Sequence, residues 1–594
     1  MKAADSKVIG FCDSRHGTAE MPDPMNDHSQ SSSQGVYDLQ SVSLPRLTGI
    51  PLRTLAWGLD NCLRGSVIPL LLRKTGVHSF RKRHFSEAPT MFPVGPSAGT
   101  GNSGHGIEPE RWPGAQTFPE TGFRFFSVHD FATAYREGKT TPEEVAGKVI
   151  AAFDKSESAE APLRAFIALK RDDVLRQAEA ATKRIKGGEA LSILDGVPVA
   201  VKDEVDMVPY PTTAGTRFLG GTAATEDSTV VARCRSAGAL LIGKTNMHEI
   251  GIGVTGLNLI HGTPRNPYAP GHYTGGSSSG SAAAVAAGLC PLAIAADGGG
   301  SIRIPSAFCG LVGLKPTFGR VSEFGAVPLC WSVAHIGPIG ATATDAALGY
   351  AVMAGPDPRD PVSMSQPSPT LEGWDKADLK GLTLGVFWPW FRHAAPEVAA
   401  ECESLLERFQ EFGVRLRAIE IPDLEAARVA QAVTISAEMA QALDYAWEEH
   451  RQEHNLDVRI NLALARALTA EDYIKAQRVR TRMMAHLNGI LKTVDAIVTP
   501  TTAVTAPPIR AGALRAGESD LSVLTEAMRF VTVANLTGLP AISFPAGYSS
   551  DGLPIGMQAI GRAYDEATLL RLALAAERKV ERRKPRLFYS LLTS

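Results

Sequence analysis

The stretch DGGGSIRIPS, residues 297–306, sets three glycines in a row before a serine, with an arginine two positions on. Consecutive amides free of side chains can form a nest for negative charge, and a serine on its rim can attack the carbonyl whose oxygen the nest holds. Gly298, Gly299, Gly300 and Ser301 are therefore read as oxyanion donors, with Ser301 as the nucleophile. One such donor is worth roughly 3–4 kcal/mol in a transition state. The plainer reading is a sharp strand-to-loop turn, which glycine also serves. A serine needs a base, and no histidine lies nearby in sequence. Lys202, closing the apolar run VPVAVK, is the candidate, because a dry lysine gives up its charge and can act as a neutral base. The competing expectation is a strand-end lysine turned to water and paired with Asp203 or Glu204.

Two other glycine patterns suggest different chemistry. GIGVTG (251–256) matches G-x-G-x-x-G, but KTNMHEI precedes it and a proline-rich stretch follows, where a dinucleotide site demands a strand and then a helix. GSSSG (276–280) matches the nucleophile elbow of α/β-hydrolases with Ser278 at its centre. A helix follows it at 281, yet the irregular RNPYAPGHYTG stands where the elbow requires a strand. No metal or cofactor is expected.

These residues need elements to hold them. ILDGVPVAVKDEVD (193–206) reads as a strand, with Lys202 toward its end, and VVARCRSAGALLIGKT (230–245) as helix then buried strand. SAAAVAAGL (281–289) predicts a helix of very small residues, and PLAIAAD (291–297) a short strand buried on both faces. Ser127 with Asp130, and Thr141–Pro142 with Glu144, predict two helix starts. Helices dominate from about 395 to 490, and VDAIVTP (494–500), AISFPAG (541–547) and EATLLRLALAAER (566–578) resume the alternation. Strands interleaved with helices imply an α/β fold: one mostly buried sheet covered by helices.

Lys+Arg is 60 against Asp+Glu 62, which gives no reason to expect a nucleic-acid partner. The seven cysteines are scattered, with no C-x-x-C, and read as reduced thiols in an intracellular protein. Residues 1–50 are polar and read as a disordered tail. Residues 51–85 carry seven Lys/Arg and one Asp within an apolar helical pattern too interrupted to span a bilayer. Leu52, Leu55, Trp57, Leu59 and Leu63 suggest an apolar face, leaving Arg53, Asp60 and Arg64 for the other side. Such a segment suits a membrane interface, and would suit equally a helix packed on the protein's own body. Residues 86–122 read as a Pro/Gly/Ser-rich linker, and 123–594 as the catalytic domain.

In combination these motifs are specific. GGSSSGSAAAVAAG, a short apolar strand, DGGGSIRIP, and VAVKDEVD upstream resemble the amidase signature family, as do PTTAGT (211–216), GKTNMHE (243–249), GLKPTFGRVS (313–322), NLTGLPAISFPAG (535–547) and GLPIGMQAIG (552–561). The resemblance covers about 125–590 in the expected order. It implies an α/β/α sandwich around a large mixed sheet and a Ser–Ser–Lys triad. Ser301 matches the nucleophile, Ser277 the bridging serine with a cis peptide bond, Lys202 the base, and 298–301 the oxyanion loop. Arg303 is assigned to orienting the nucleophile loop, with Ser278 and Thr255 in support. Within the family, KDEVDMVPYPTTAGTRFL, GKTNMHEIGIG and AYREGKTTPEEVA look like the plant-type fatty acid amide hydrolase branch. That implies cleavage of N-acylethanolamines, a greasy acyl channel with Trp331 and Met439 as guesses at its lining, and peripheral membrane association through 51–85. A lipid amide is the expected substrate and a second copy of the chain a conceivable partner. Action on small or aryl amides, or as an amidotransferase subunit, is the alternative.

Overall fold

The computed structural model describes residues 36–42, 44–61, 64–93, 122–364, 366–376 and 378–592. Its strands are β1 (Leu47–Thr48), β2 (Phe166–Ala168), β3 (Pro198–Lys202), β4 (Leu240–Thr245), β5 (Leu292–Ala296), β6 (Val312–Lys315), β7 (Ile336–Gly340), β8 (Thr383–Val386), β9 (Arg415–Ala418), β10 (Ala496–Pro500), β11 (Glu518–Ser519), β12 (Ala541–Tyr548) and β13 (Pro554–Gly561). Eleven of them form one mixed sheet in the order β2-β4-β3-β5-β7-β6-β12-β13-β10-β8-β9, while β1 pairs with β11. β4, β3 and β5 run parallel side by side, so Lys202 and the segment after Ala296 emerge at the same edge. Ligand sites in open sheets gather at such carboxyl ends.

The apolar run LAIAA is buried throughout as β5, as its sequence predicts. The helix Ser279–Ala286 is wholly buried beside it. Its small residues also permit close packing on the segment before β2: a Cβ on Gly280 would lie 2.2 Å from the Ala165 carbonyl oxygen. Both predicted helix starts form capping boxes, at Ser127/Asp130 and at Thr141/Glu144. Helices Ala343–Met353, Pro396–Glu411 and Glu566–Glu577 share an apolar core with β6, β8, β10, β12 and β13. The result is the α/β sandwich around a large mixed sheet that the motifs imply.

The basic segment folds back as three helices, Gly49–Asp60, Arg64–Lys74 and Val77–Lys82. Leu52, Leu59, Ile68, Leu72 and Phe80 enter one core with Val429, Val433, Val479 and Met483 of the helices Leu424–Ala442 and Ala470–Leu491. The expected faces differ in two places. Trp57 is 55% exposed, and Asp60 turns inward to pair with Arg459. A local apolar pattern carries no information about a cation supplied 399 positions later. Leu63 lies outside the described residues.

The segments on either side are also docked where described. Tyr37 hydrogen-bonds His393 at 2.6 Å, and β1 pairs with β11, although both lie in the stretch read as a disordered tail. Within the expected linker, Thr90 N–H donates to Gln477 O at 3.2 Å and Glu87 pairs with Arg482 at 2.6 Å. Residues 1–35 and 94–121, the rest of the tail and most of the linker, lie outside the described residues. Among the described residues no helix is long and apolar enough to cross a membrane.

Candidate active site

Lys202 ends β3 with its side chain only 1% exposed. Its Nζ donates to Ser277 Oγ at 2.8 Å, to Glu204 Oε1 at 3.0 Å and to the Ala296 carbonyl at 3.3 Å. The sequence offered two exclusive fates, a dry base or a solvated ion pair. The lysine is dry and carboxylate-paired at once, because Glu204 is buried beside it. The Gly276–Ser277 peptide bond is cis, and the Ser277 carbonyl accepts the His248 N–H at 3.0 Å.

Ser301 follows the glycines that leave β5. Its carbonyl accepts the Ser278 N–H at 3.4 Å, tying the two serine loops together. Its hydroxyl makes no hydrogen bond to any described residue, and it lines the same chamber as Lys202 and Ser277.

The expected four-amide ledge is corrected in one place. The Gly300 N–H donates to Asp297 Oδ1 at 2.5 Å and is therefore occupied. The amides of Gly298, Gly299 and Ser301 donate to no described residue. Gly300 has φ +115°, a backbone value that L-residues rarely adopt. Gln431 Nε2 fixes the ledge from behind through the Gly298 carbonyl at 2.7 Å.

Arg303 explains how Asp297 can be buried. Its Nε and Nη2 meet the two carboxylate oxygens at 3.0 and 3.1 Å, and Nη1 donates to Gln558 Oε1 at 2.7 Å. Burial alone would raise the Asp297 carboxyl, but the Arg303 charge and hydrogen bonds, with Lys315 and Asn535, hold it well below the usual range. The carboxylate then binds the amides of Gly300 and Ile302, on both sides of Ser301. Asp297, Gln431, Asn535 and Gln558 were not singled out from the sequence. Asn535 and Gln558 stand inside quoted motifs; Gln431 carries no local signal at all.

Other expected residues fall elsewhere. Ser278 is fully buried, donates to the Ala296 carbonyl at 3.1 Å and lines neither cavity described here. His335 lies in the chamber wall, but its Nδ1 is spent on the Val333 carbonyl, so no Ser–His–Asp array forms with Ser278. Thr255 accepts the Leu257 N–H at 3.3 Å and also lines neither cavity. Trp331 is half-buried outside both linings. Met439 does line the chamber.

The two cavities meet at Ser301 and Gly251. One, of about 480 Å³, holds Lys202, Ser277 and the polar groups. The other, of about 1090 Å³, is an apolar channel walled by Val433, Ile435, Leu464, Leu468, Leu524 and Met528. Leu72, Thr75 and Val77 of the basic N-terminal segment complete that wall.

A family model described as Amidase matches residues 148–570. A fatty acid amide hydrolase of Medicago truncatula is 43% identical over 480 residues, covering 79% of each chain. One from Oryza sativa subsp. japonica is 39% identical over 592 residues, covering 94% of this chain and 97% of its own. Among solved structures, the peptide amidase of Stenotrophomonas maltophilia superposes with a TM-score of 0.68 at 28% identity, over 78% of this chain and 99% of that one. By the family model and these relatives, the chain belongs to the amidase signature family and is an amide-hydrolysing enzyme.

Proposed function

We propose that this protein hydrolyses long-chain fatty acid amides of the N-acylethanolamine type to a free fatty acid and ethanolamine, with Ser301 as nucleophile, Ser277 as relay and Lys202 as base. The carrying observation is the meeting of two unlike cavities at Ser301: an apolar channel on one side and the lysine–serine chamber on the other. Each methylene buried in such a channel is worth about 0.8 kcal/mol, so a long acyl chain supplies the binding energy. The names of the relatives support the same substrate class.

In this reading Lys202, acting as the neutral amine, takes a proton from Ser277, which takes one from Ser301 as that oxygen attacks the carbonyl. The oxyanion rests on the amides of Gly298, Gly299 and Ser301. The proton returns through Ser277 to the nitrogen as the C–N bond breaks, so the amine leaves neutral. Water then resolves the acyl-enzyme by the same relay. Asp297 and Arg303 position the ledge.

Membrane contact belongs to the same proposal. Ile50, Trp57 and Leu70 are exposed on the N-terminal helices among Arg53, Arg64, Arg73 and Lys74. Exposed apolar groups on the same helices as exposed cations suit an anionic bilayer surface.

Hydrolysis assayed across long-chain acylethanolamides, short aryl amides and esters tests this reading, with mass spectrometry of the chain after fluorophosphonate labelling. The expected result is preference for long-chain amides and an adduct on Ser301. Preference for short amides, or an adduct on Ser278, refutes it.

A further inference from the structure

Chemistry assigns the two cavities to different halves of an amide. The leaving nitrogen must lie beside the hydroxyl that hands it a proton, and Ser277 lines the small chamber and not the channel. On the function proposed above, the amine half of the substrate therefore points into the small chamber. What stands in its wall sets the choice of amine.

Much of that wall is apolar, with Ile250, Ala326, Val327, Leu329 and Met439. Three carboxyl groups interrupt it, Glu204, Glu323 and Asp297, the last of them held by Arg303. Glu204 is engaged by Lys202 at 3.0 Å. Glu323 is different. Its backbone N–H donates to Asp360 Oδ2 at 3.1 Å, but its carboxyl makes no hydrogen bond or ion pair with any described residue. The loop bearing it is pinned over the end of β3, through Val327 N–H to Glu204 O at 2.9 Å and Asp206 N–H to Gly325 O at 2.8 Å. Glu323 is half-buried and lines the chamber, so its carboxyl, without a protein partner, is open to a ligand there.

Burial, with the nearby charges of Asp360, Glu204 and Glu438, pushes the Glu323 carboxyl well above the usual range. A protonated carboxyl both donates and accepts a hydrogen bond, which is what an alcohol requires. The chamber is the smaller of the two cavities, which suits the smaller half of the amide.

We infer that Glu323 recognises the hydroxyl of a short hydroxyalkylamine leaving group, and so selects hydroxyethyl amides over alkyl amides of equal length. Glu323 is thus a specificity residue on the amine side, separate from the proton relay.

The test uses two amides of one long acyl chain, N-(2-hydroxyethyl) and N-propyl, which differ by a hydroxyl in place of a methyl. Wild-type kcat/KM is expected to favour the hydroxyethyl amide about tenfold or more. Glu323→Leu should bring the two within about threefold while keeping propylamide turnover; Glu323→Met replaces it if the leucine variant does not fold. Glu323→Gln, which still donates and accepts, should keep most of the preference. A wild-type ratio below threefold, a ratio that persists in Glu323→Leu, or a parallel loss on both amides overturns the inference. Failure of the wild type on both long-chain amides defeats the proposed function and this inference with it. Good hydrolysis of both, with a ratio indifferent to position 323, defeats this inference alone.

Discussion

Lys202 Nζ and Ser277 Oγ lie 2.8 Å apart inside the protein, although 75 positions separate them in the chain. On the proposed relay, Ser301→Ala removes the nucleophile and should lower kcat about a thousandfold or more. Ser277→Ala and Lys202→Ala remove proton transfer and should each cost about a hundredfold or more. Steady-state kinetics on one long-chain amide checks all three. Near-normal turnover in any variant refutes that residue's role.

Asp297 makes stability depend on acid. Its folded carboxyl lies below the ordinary unfolded value of about 3.9, so its contribution is fully present above that pH and is lost as the pH falls further. Arg303→Leu strands the buried carboxylate, which should cost about 3–5 kcal/mol. Asp297→Asn should lower Tm at neutral pH and flatten its decline below about pH 4. Melting curves across that range decide it, and a variant that keeps the wild-type slope would sink the assignment.

Gly300 tolerates no side chain. A Cβ there would lie 2.6 Å from Val531 Cγ2 and 2.7 Å from Ile304 Cδ1, at a backbone angle that L-residues avoid. Gly300→Ala should destabilise the protein by about 1–3 kcal/mol and cut turnover by moving the neighbouring Ser301. Denaturant melts and kinetics measured together check this, with unchanged values for both as the contrary result.

The N-terminal helices are part of the channel rather than an appendage. Deleting residues 1–85 should reduce binding to anionic liposomes and also remove Leu72, Thr75 and Val77 from the channel wall. Long-chain turnover should therefore fall about tenfold or more, since several buried methylenes lose their contacts, while turnover of a short acyl amide stays within about threefold. Equal losses on both substrates would argue for general unfolding. Unchanged liposome binding would retire the membrane proposal.

Much of this was legible before any coordinates. The bare run 298–300, the strands of VPVAVK and LAIAA, the small-residue helix at 281 and both capping boxes are local facts, set by side-chain size, periodicity and hydrogen-bonding within four residues. Local chemistry stays the same wherever the chain later goes.

The partners of polar groups were not legible. The sequence could not show that the Gly300 amide is spent on Asp297 while those of Gly298 and Gly299 have no described partner, since both arrangements use the same glycines. Nor could it separate the two fates of Lys202, join Asp60 to Arg459, or gather a channel wall from helices near positions 72, 433, 464 and 524. Trp331 and Thr255 missed the site for the same reason. The sequence by itself determined which groups could do chemistry; the tertiary structure decided which of them meet, because burial forces each polar atom to find whatever partner the packed chain brings within reach.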